Sequence, residues 1–341
     1  MHEFPLISVA GNSYDMGYQH GVQAADLIVK YILWIEKSNR KDRSELGHNA
    51  LAFLPLIEQL SPALVEEIRG LAAGANIPFE EALLCQTRGA TAQAQPEGCT
   101  AFSLTGTATA TGHPLAGQNQ DLPPEFSDLG IVLHLKPNDG RPRAITFTFA
   151  GQLGYMGMNQ NGIAHFANGL GNAPWQMGLP HYPLKRVLLE KRTVAECIEL
   201  LKEFRLCSPG NMVFCGGQGA IADVEIRPEG IALYEDEHPD RRLHTNHYIT
   251  PEFAPHETYD LEDSCPRLER IRQLVQTHWG KITVDTLKTI LADHHNDPGA
   301  ICRHGGKGIH SIAGYIAEPE KNLFHVRRGH GCIGTWKAYE V

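Results

Sequence analysis

The chain lacks a basic block. Its 30 Lys and Arg are interspersed with 39 Asp and Glu, giving a formal net charge of −9 over 341 residues. A nucleic-acid partner would require a Lys/Arg stripe, so none is expected. Also missing is any apolar stretch approaching the ~20 residues that span a bilayer, which argues against a membrane partner. The opening residues, MHEFPLISVAGNSYDMG, show no basic segment followed by a long apolar run. Export through a cleaved signal is therefore not expected, and a cytoplasmic location is. The eight cysteines, at 85, 99, 197, 207, 215, 265, 302 and 332, form no C-x-x-C pair. That spacing predicts neither a zinc site nor a thioredoxin-like motif, so no metal or other cofactor is expected. No repeat, low-complexity tract or long linker divides the chain.

What is present changes character partway along. The first ninety residues read as helix, with Asn12 and Ser13 as N-cap types ahead of a periodic stretch from Tyr14 to about Lys37. Two further helical patterns, Pro62–Gly74 and Pro78–Thr87, follow with proline near each start. The pattern breaks at Gln93–Gly98. From Cys99 onward, CTAFSL, HPLAGQNQD, GIVLHLKP and RAITFTFA read as successive strands, separated by Gly-, Asn- and Pro-bearing turns. Helix returns at Pro183–Phe204, which contains the Thr193–Glu196 capping signature. Strands are expected at about Asn211–Ile226 and Ile231–Tyr234, helices at Cys265–His278 and Val284–Asp293, and strands near His310–Ala317 and Asn322–Arg327. Helices bracketing a large antiparallel strand set imply stacked α and β layers.

Cys99 stands at the break, preceded by Gly98 and leading directly into a strand. A glycine there leaves its carbonyl open to attack and tolerates strained dihedrals. An N-to-S acyl shift followed by hydrolysis would release Cys99 as a new terminus. A thiol with a pKa of about 8.5 and an α-amine of about 7.7–8.0 would then share one residue, which carries its own general base. The strand containing Gln118 and Asp121 is expected to fold Asp121 back beside that terminus, where a carboxylate could orient the amine. Asn168 and Asn246, each on an apolar or aromatic strand, are candidate amide donors to an oxyanion. A papain-like arrangement of Cys99 with His244 or His247 is an alternative from these residues alone.

The order of these segments resembles the penicillin acyltransferase-type (C45) members of the N-terminal-nucleophile (Ntn) hydrolases. The resemblance runs through Gly17-Tyr18-Gln19-His20-Gly21, Glu97-Gly98-Cys99-Thr100, Gly117–Asp121, Gly157-Met158-Asn159 with Gly162 and Asn168, Thr245–Tyr248, Ile301–His304 and Ser311. It implies an α+β fold, a four-layer αββα sandwich with a helical N-terminal leader. It also implies cleavage before the cysteine and acyl transfer through a thioester. Carried over residue by residue, Cys99 is the nucleophile, Asp121 its amino-group partner and Asn246 the side-chain oxyanion donor. Asn168 matches the other strand asparagine, while Thr100 and Ser311 fall where relatives have residues near the processing site. Bile-salt hydrolases carry an Arg at the position of Gln118 and lack a long propeptide, so bile salts are not the expected substrates.

The expected organisation is one domain: a leader of residues 1–98 packed on a catalytic sandwich of residues 99–341. The expected function is a self-processed cysteine amidohydrolase acting on a small-molecule N-acyl amide. The two fragments would stay associated, and a homo-oligomer is compatible with the sequence. Transfer of the acyl group to an amine, or an uncleaved non-catalytic binding protein, are the alternatives.

Overall fold

In the computed structural model the described residues are 3–87, 98–171, 176–258 and 261–341. Most of the break expected at Gln93–Gly98 thus lies outside them; only Gly98 is described. The leader begins with β1 (Leu6–Gly11), where helix alone was expected. Its alternation of exposed and buried residues is a strand period, and it pairs in parallel with β4 (Gly130–Pro137). The long helix α1 (Ser13–Asn39) starts where its cap predicts, the Asn12 side chain accepting from the Asp15 N–H. After α2 (Arg43–Ala50) and α3 (Leu54–Leu60) come α4 (Pro62–Ala75) and α5 (Phe79–Gln86).

The Gly17–Gly21 segment belongs to the crossing of α1 and α4. A Cβ on Gly17 would lie 1.9 Å from the Glu67 carbonyl oxygen, and one on Gly21 2.5 Å from that of Leu71. Glycine lets the two backbones touch. Nearby His20, fully buried, accepts from the Gly151 N–H, and burial lowers its pKa to about 4.

Two sheets form the centre. The first runs in the order β1-β4-β5-β6-β7-β8-β9-β10, the second β11-β2-β3-β12-β13-β14. The elements that matter below are β2 (Gly98–Leu104), β3 (Leu115–Leu122), β7 (Ala164–Asn168), β8 (Gly210–Cys215), β9 (Ile221–Arg227), β11 (Arg241–His244) and β12 (His310–Glu318). The remaining members are β5 (Ala144–Phe149), β6 (Met156–Asn159), β10 (Gly230–Leu233), β13 (Leu323–Arg328) and β14 (Thr335–Glu340). The helix expected over Pro183–Phe204 is two, α6 (His181–Leu188) and α7 (Val194–Glu203), because Thr193 caps a new start. Last come α8 (Leu261–Thr277) and α9 (Val284–Ile290).

The layers follow from which faces are apolar. Ala101 and Ala116 face the large core shared with the first sheet. Phe102, Leu104 and Leu115 face a second cluster built with Leu268, Ile271 and Leu287 of α8 and α9. Strands β2 and β3 pack on β7 and β8 across the middle, and α1 and α7 pack on the first sheet. The arrangement is the expected αββα sandwich. No helix among the described residues is long and apolar enough to cross a membrane.

Candidate active site

Cys99 is the second residue of β2, paired with Gln120 of β3, while Gly98 pairs with Asp121. Side chains alternate along a strand, so Cys99 and Gln120 face the middle of the sandwich and Asp121 faces α8. Gln120 Nε2 donates to Cys99 Sγ at 3.3 Å. The thiol and the carboxylate therefore lie on opposite sides of the sheet. What they share is the Gly98–Cys99 backbone between them.

That backbone is held from the side by Asn246. The β11–β2 ladder ends at His244 opposite Ala101, two residues short of Cys99. Asn246, expected on a strand, lies just past its end and continues the pairing with its side chain: the Cys99 N–H donates to Asn246 Oδ1 at 2.8 Å. Its Nδ2 donates to the Gly169 carbonyl at 3.0 Å, and its own N–H to Ser264 Oγ at 2.7 Å. The acceptor end of the amide, not the donor end, faces Cys99.

Helix α8 presents Asp263, Ser264 and Arg267 on one face, as a spacing of three to four residues requires. Arg267, fully buried, donates to the Cys99 carbonyl, to Thr100 Oγ1 and to Asn246 Oδ1. Asp263 pairs with Arg303 at 3.0 Å. Arg303 in turn crowds Gly98, where a Cβ would lie 2.4 Å from its Nη1 and 3.3 Å from Asp121 Oδ2. Only glycine fits.

Asp121 is fully buried. A bulge in β12, between Ser311 and Ala313, re-aims the strand so that Ser311 stands opposite Asp121 and donates to Oδ1 at 2.6 Å. Oδ2 has no hydrogen-bond partner among the described residues. Burial raises the Asp121 pKa to about 6, against the opposing pull of Arg303, Arg267 and the Ser311 hydroxyl.

Gln118 joins the sheets: its Nε2 donates to the Ala167 carbonyl at 2.8 Å, and its Oε1 accepts from the Ala167 N–H at 3.0 Å. With Asn246 bonded to Gly169, the residue between, Asn168, is fixed on both sides. Its side chain is buried, yet among the described residues neither Oδ1 nor Nδ2 has a partner. A buried amide with both ends unused departs from the usual satisfaction of such groups and is available to a ligand.

The histidines of the papain-like alternative are committed elsewhere. His244 contacts the Thr245 carbonyl at 2.9 Å and Glu225 at 3.1 Å. Burial works against its charge, but Asp223 and Glu225 outweigh it and raise the pKa to about 9. His247 Nδ1 contacts Ser264 Oγ at 2.8 Å and its Nε2 lies 3.7 Å from Cys265 Sγ.

Gly98, Cys99, Thr100, Gln118, Asp121, Asn168, Asn246 and Ser311 were all expected from the sequence, and the fold gathers them at one end of β2, β3 and β7. Gln120, Asp263, Ser264, Arg267 and Arg303 were not. The i,i+4 pair Asp263–Arg267 was the available signal, and in sequence it reads as a solvated helix face.

Two facing sheets between helical layers, with Cys99 buried near the start of β2, are the frame on which the family match falls. Residues 108–326 match the family described as acyl-coenzyme A:6-aminopenicillanic acid acyl-transferase, and the chain belongs to that family. The match begins after Cys99 but includes Asp121, Asn168, Asn246 and Ser311. The chain is 27% identical over 308 residues to the acyl-coenzyme A:6-aminopenicillanic-acid-acyltransferase 40 kDa form of Emericella nidulans, covering 87% of this chain and 84% of that one. Similar solved structures include a mutant of conjugated bile acid hydrolase from Clostridium perfringens, at 11% identity and TM-score 0.48, covering 71% of this chain and 97% of that one. Another is penicillin V acylase from Agrobacterium tumefaciens, at 10% identity and TM-score 0.49, covering 71% and 86%. Its family membership makes the chain an enzyme of the acyltransferase kind.

Proposed function

We propose that this enzyme cuts its own Gly98–Cys99 bond and then uses the freed Cys99 to hydrolyse a small-molecule N-acyl amide. The observation that carries the reading is the convergence on that one peptide. Its N–H is held by Asn246, the Arg303 guanidinium closes over Gly98, and a carboxylate oxygen without a partner among the described residues lies beside it. Cys99 is fully buried in the uncut chain, so its thiol is shielded from outside substrates until the bond is cut.

In processing, Cys99 Sγ attacks the Gly98 carbonyl carbon. The C–N bond breaks, and a thioester links Gly98 to a Cys99 that now carries a free amine. Water hydrolyses that ester, leaving the Gly98 carboxylate and the Cys99 thiol. Asp121 Oδ2 accepts a hydrogen bond from the new terminal amine, and keeps it when that amine becomes an ammonium in catalysis. In catalysis the amine takes the thiol proton, and sulfur attacks the substrate amide carbon. The oxyanion is held by side-chain amides at this end of β7, the unpartnered Asn168 Nδ2 and Asn246 Nδ2 once it leaves Gly169. The substrate amine departs with the proton, and water resolves the thioester. The leader, whose β1 pairs with β4 and whose α1 packs on the first sheet, stays bound to the larger fragment.

A second reading, favoured by the family match, has an amine rather than water take the acyl group. Intact-mass measurement on the purified protein tests the processing, which requires fragments of about 11 and 27 kDa from the 37.6 kDa chain. A single 37.6 kDa species after prolonged incubation at neutral pH overturns it. Adding a competing amine to an active preparation separates the readings, since only the second gives transfer product at the expense of free acid.

A further inference from the structure

Away from Cys99, the ligand atoms of His294, Cys302, His304 and Cys332 all lie within 4.8 Å of one another. His304 Nε2 is the common point: His294 Nε2 stands 3.0 Å from it, Cys332 Sγ 3.3 Å and Cys302 Sγ 3.5 Å. One imidazole nitrogen has either a single N–H or a single lone pair, so it cannot hydrogen-bond three partners at once. Four lone-pair donors aimed at one small volume are instead the donor set of a metal centre.

From these residues we propose a structural Zn²⁺ site, ligated by His294, Cys302, His304 and Cys332. Zn–N bonds of ~2.0–2.1 Å and Zn–S bonds of ~2.3 Å place tetrahedral neighbours ~3.3 Å apart for two nitrogens and ~3.6 Å for nitrogen and sulfur. The separations from His304 already match those edges to within ~0.4 Å. Two sulfur and two nitrogen donors select zinc over magnesium or calcium, and four protein ligands close the shell as a structural site does. Binding replaces the two thiol protons, which leave to solvent, so two thiolates and two neutral imidazoles balance the ion's charge.

The surroundings fix these side chains independently. The Cys302 N–H donates to the Asp293 carbonyl at 2.9 Å, and Arg270 holds the Asp293 carboxylate at 2.7 Å. Gly331, where a Cβ would lie 2.2 Å from the Leu291 carbonyl oxygen, lets the turn bearing Cys332 press against the end of α9. His330 stacks on His304 with centroids 4.0 Å apart, and its Nδ1 contacts the Arg303 carbonyl at 2.8 Å. The ion would therefore clamp three segments that are separate in sequence. Cys302 and His304 flank Arg303, the residue that crowds Gly98, so the clamp also sets the loop bordering the candidate active site. The spacing Cys302-x-His304 with two distant ligands matches no C-x-x-C pattern, which is why the sequence predicts no zinc there.

The test uses the full chain, produced with zinc available and purified without chelator, with metal content measured by mass spectrometry. It should hold ~one zinc per chain, and the cobalt(II)-substituted protein should show tetrahedral ligand-field bands with thiolate charge transfer. His294 and Cys332 are exposed, so His294→Ala and Cys332→Ser should fold, lose zinc and melt at lower temperature. Removing zinc from the unsubstituted chain with a chelator should lower its melting temperature in the same way, whether or not the Gly98–Cys99 bond is cut. Folded protein with no bound metal and freely titrating thiols overturns the proposal. So does a Cys302–Cys332 disulfide found by mass, or a zinc content unchanged in either variant.

Discussion

The Cys99 N–H donates to Asn246 Oδ1, 2.8 Å away and 147 residues later in the chain. A side chain here does what a backbone carbonyl does along the rest of β2, because β11 has already ended. Asn246 consequently has two separable ends. Asn246→Asp keeps an acceptor for Cys99 and Arg267 but cannot donate to Gly169 or to an oxyanion. Asn246→Ala loses both. The expectation is that Asn246→Asp still cleaves yet turns over about 10²–10³ times more slowly, the worth of one oxyanion donor. Asn246→Ala should also cleave slowly. Fragment appearance on gels and single-turnover rates read the two effects apart, and an Asn246→Asp enzyme of full activity removes the donor role.

Cys99→Ala should remain a single chain and hydrolyse no amide, since one thiol serves both steps. The exposed Cys265→Ser is the control and should mature normally. Gly98→Ala should also mature slowly, because its Cβ must displace Arg303 or Asp121. Time courses of intact mass after expression decide among these. Unimpaired cleavage in Cys99→Ala would move the nucleophile elsewhere.

Individual helices and strands were legible in the sequence because their signals are local. Asn12 and Thr193 caps and the alternation of β2 through β5 each depend on neighbours within a few residues. Hidden was β1, whose meaning comes from pairing with β4 more than a hundred residues on. The same divide runs through the site. Cys99, Asp121 and Asn246 are visible through an order of motifs that resembles a family's. Arg267 and Arg303 are not, because a buried arginine looks like a surface one until the fold supplies Asp263 and the Cys99 carbonyl. The break in β12 that turns Ser311 toward Asp121 leaves no mark in composition at all.

Asn168 offers a test that opposes stability to function. A buried polar group left without partners costs about 1–3 kcal/mol, and both ends of this amide are unpartnered among the described residues. Asn168→Ala should therefore leave the denaturation midpoint unchanged or raise it. If Nδ2 serves the oxyanion, turnover should fall about 10²-fold in the same protein. Urea titration and steady-state kinetics on one preparation measure both. A variant that loses stability and activity together would mark Asn168 as a structural residue.

The protonation of Asp121 gives the sharpest check on how the uncut chain is poised. Burial raises its pKa to about 6, whereas an unfolded aspartate titrates near about 3.9. The folded chain thus binds this proton more tightly than the unfolded one. That contribution to stability is complete below about pH 4 and is lost as pH rises through about 6. Asp223 is raised to about 6 as well, mainly by burial, so a simple pH titration mixes the two. Comparing Cys99→Ala with Cys99→Ala/Asp121→Asn, both uncut, isolates Asp121. The double variant should gain in relative urea midpoint as pH goes from about 4 to about 7, then hold level. A difference that does not vary with pH would mean that neighbours in the uncut chain already compensate the Asp121 carboxylate for its burial. Its free oxygen could not then be waiting for the amine that cleavage creates.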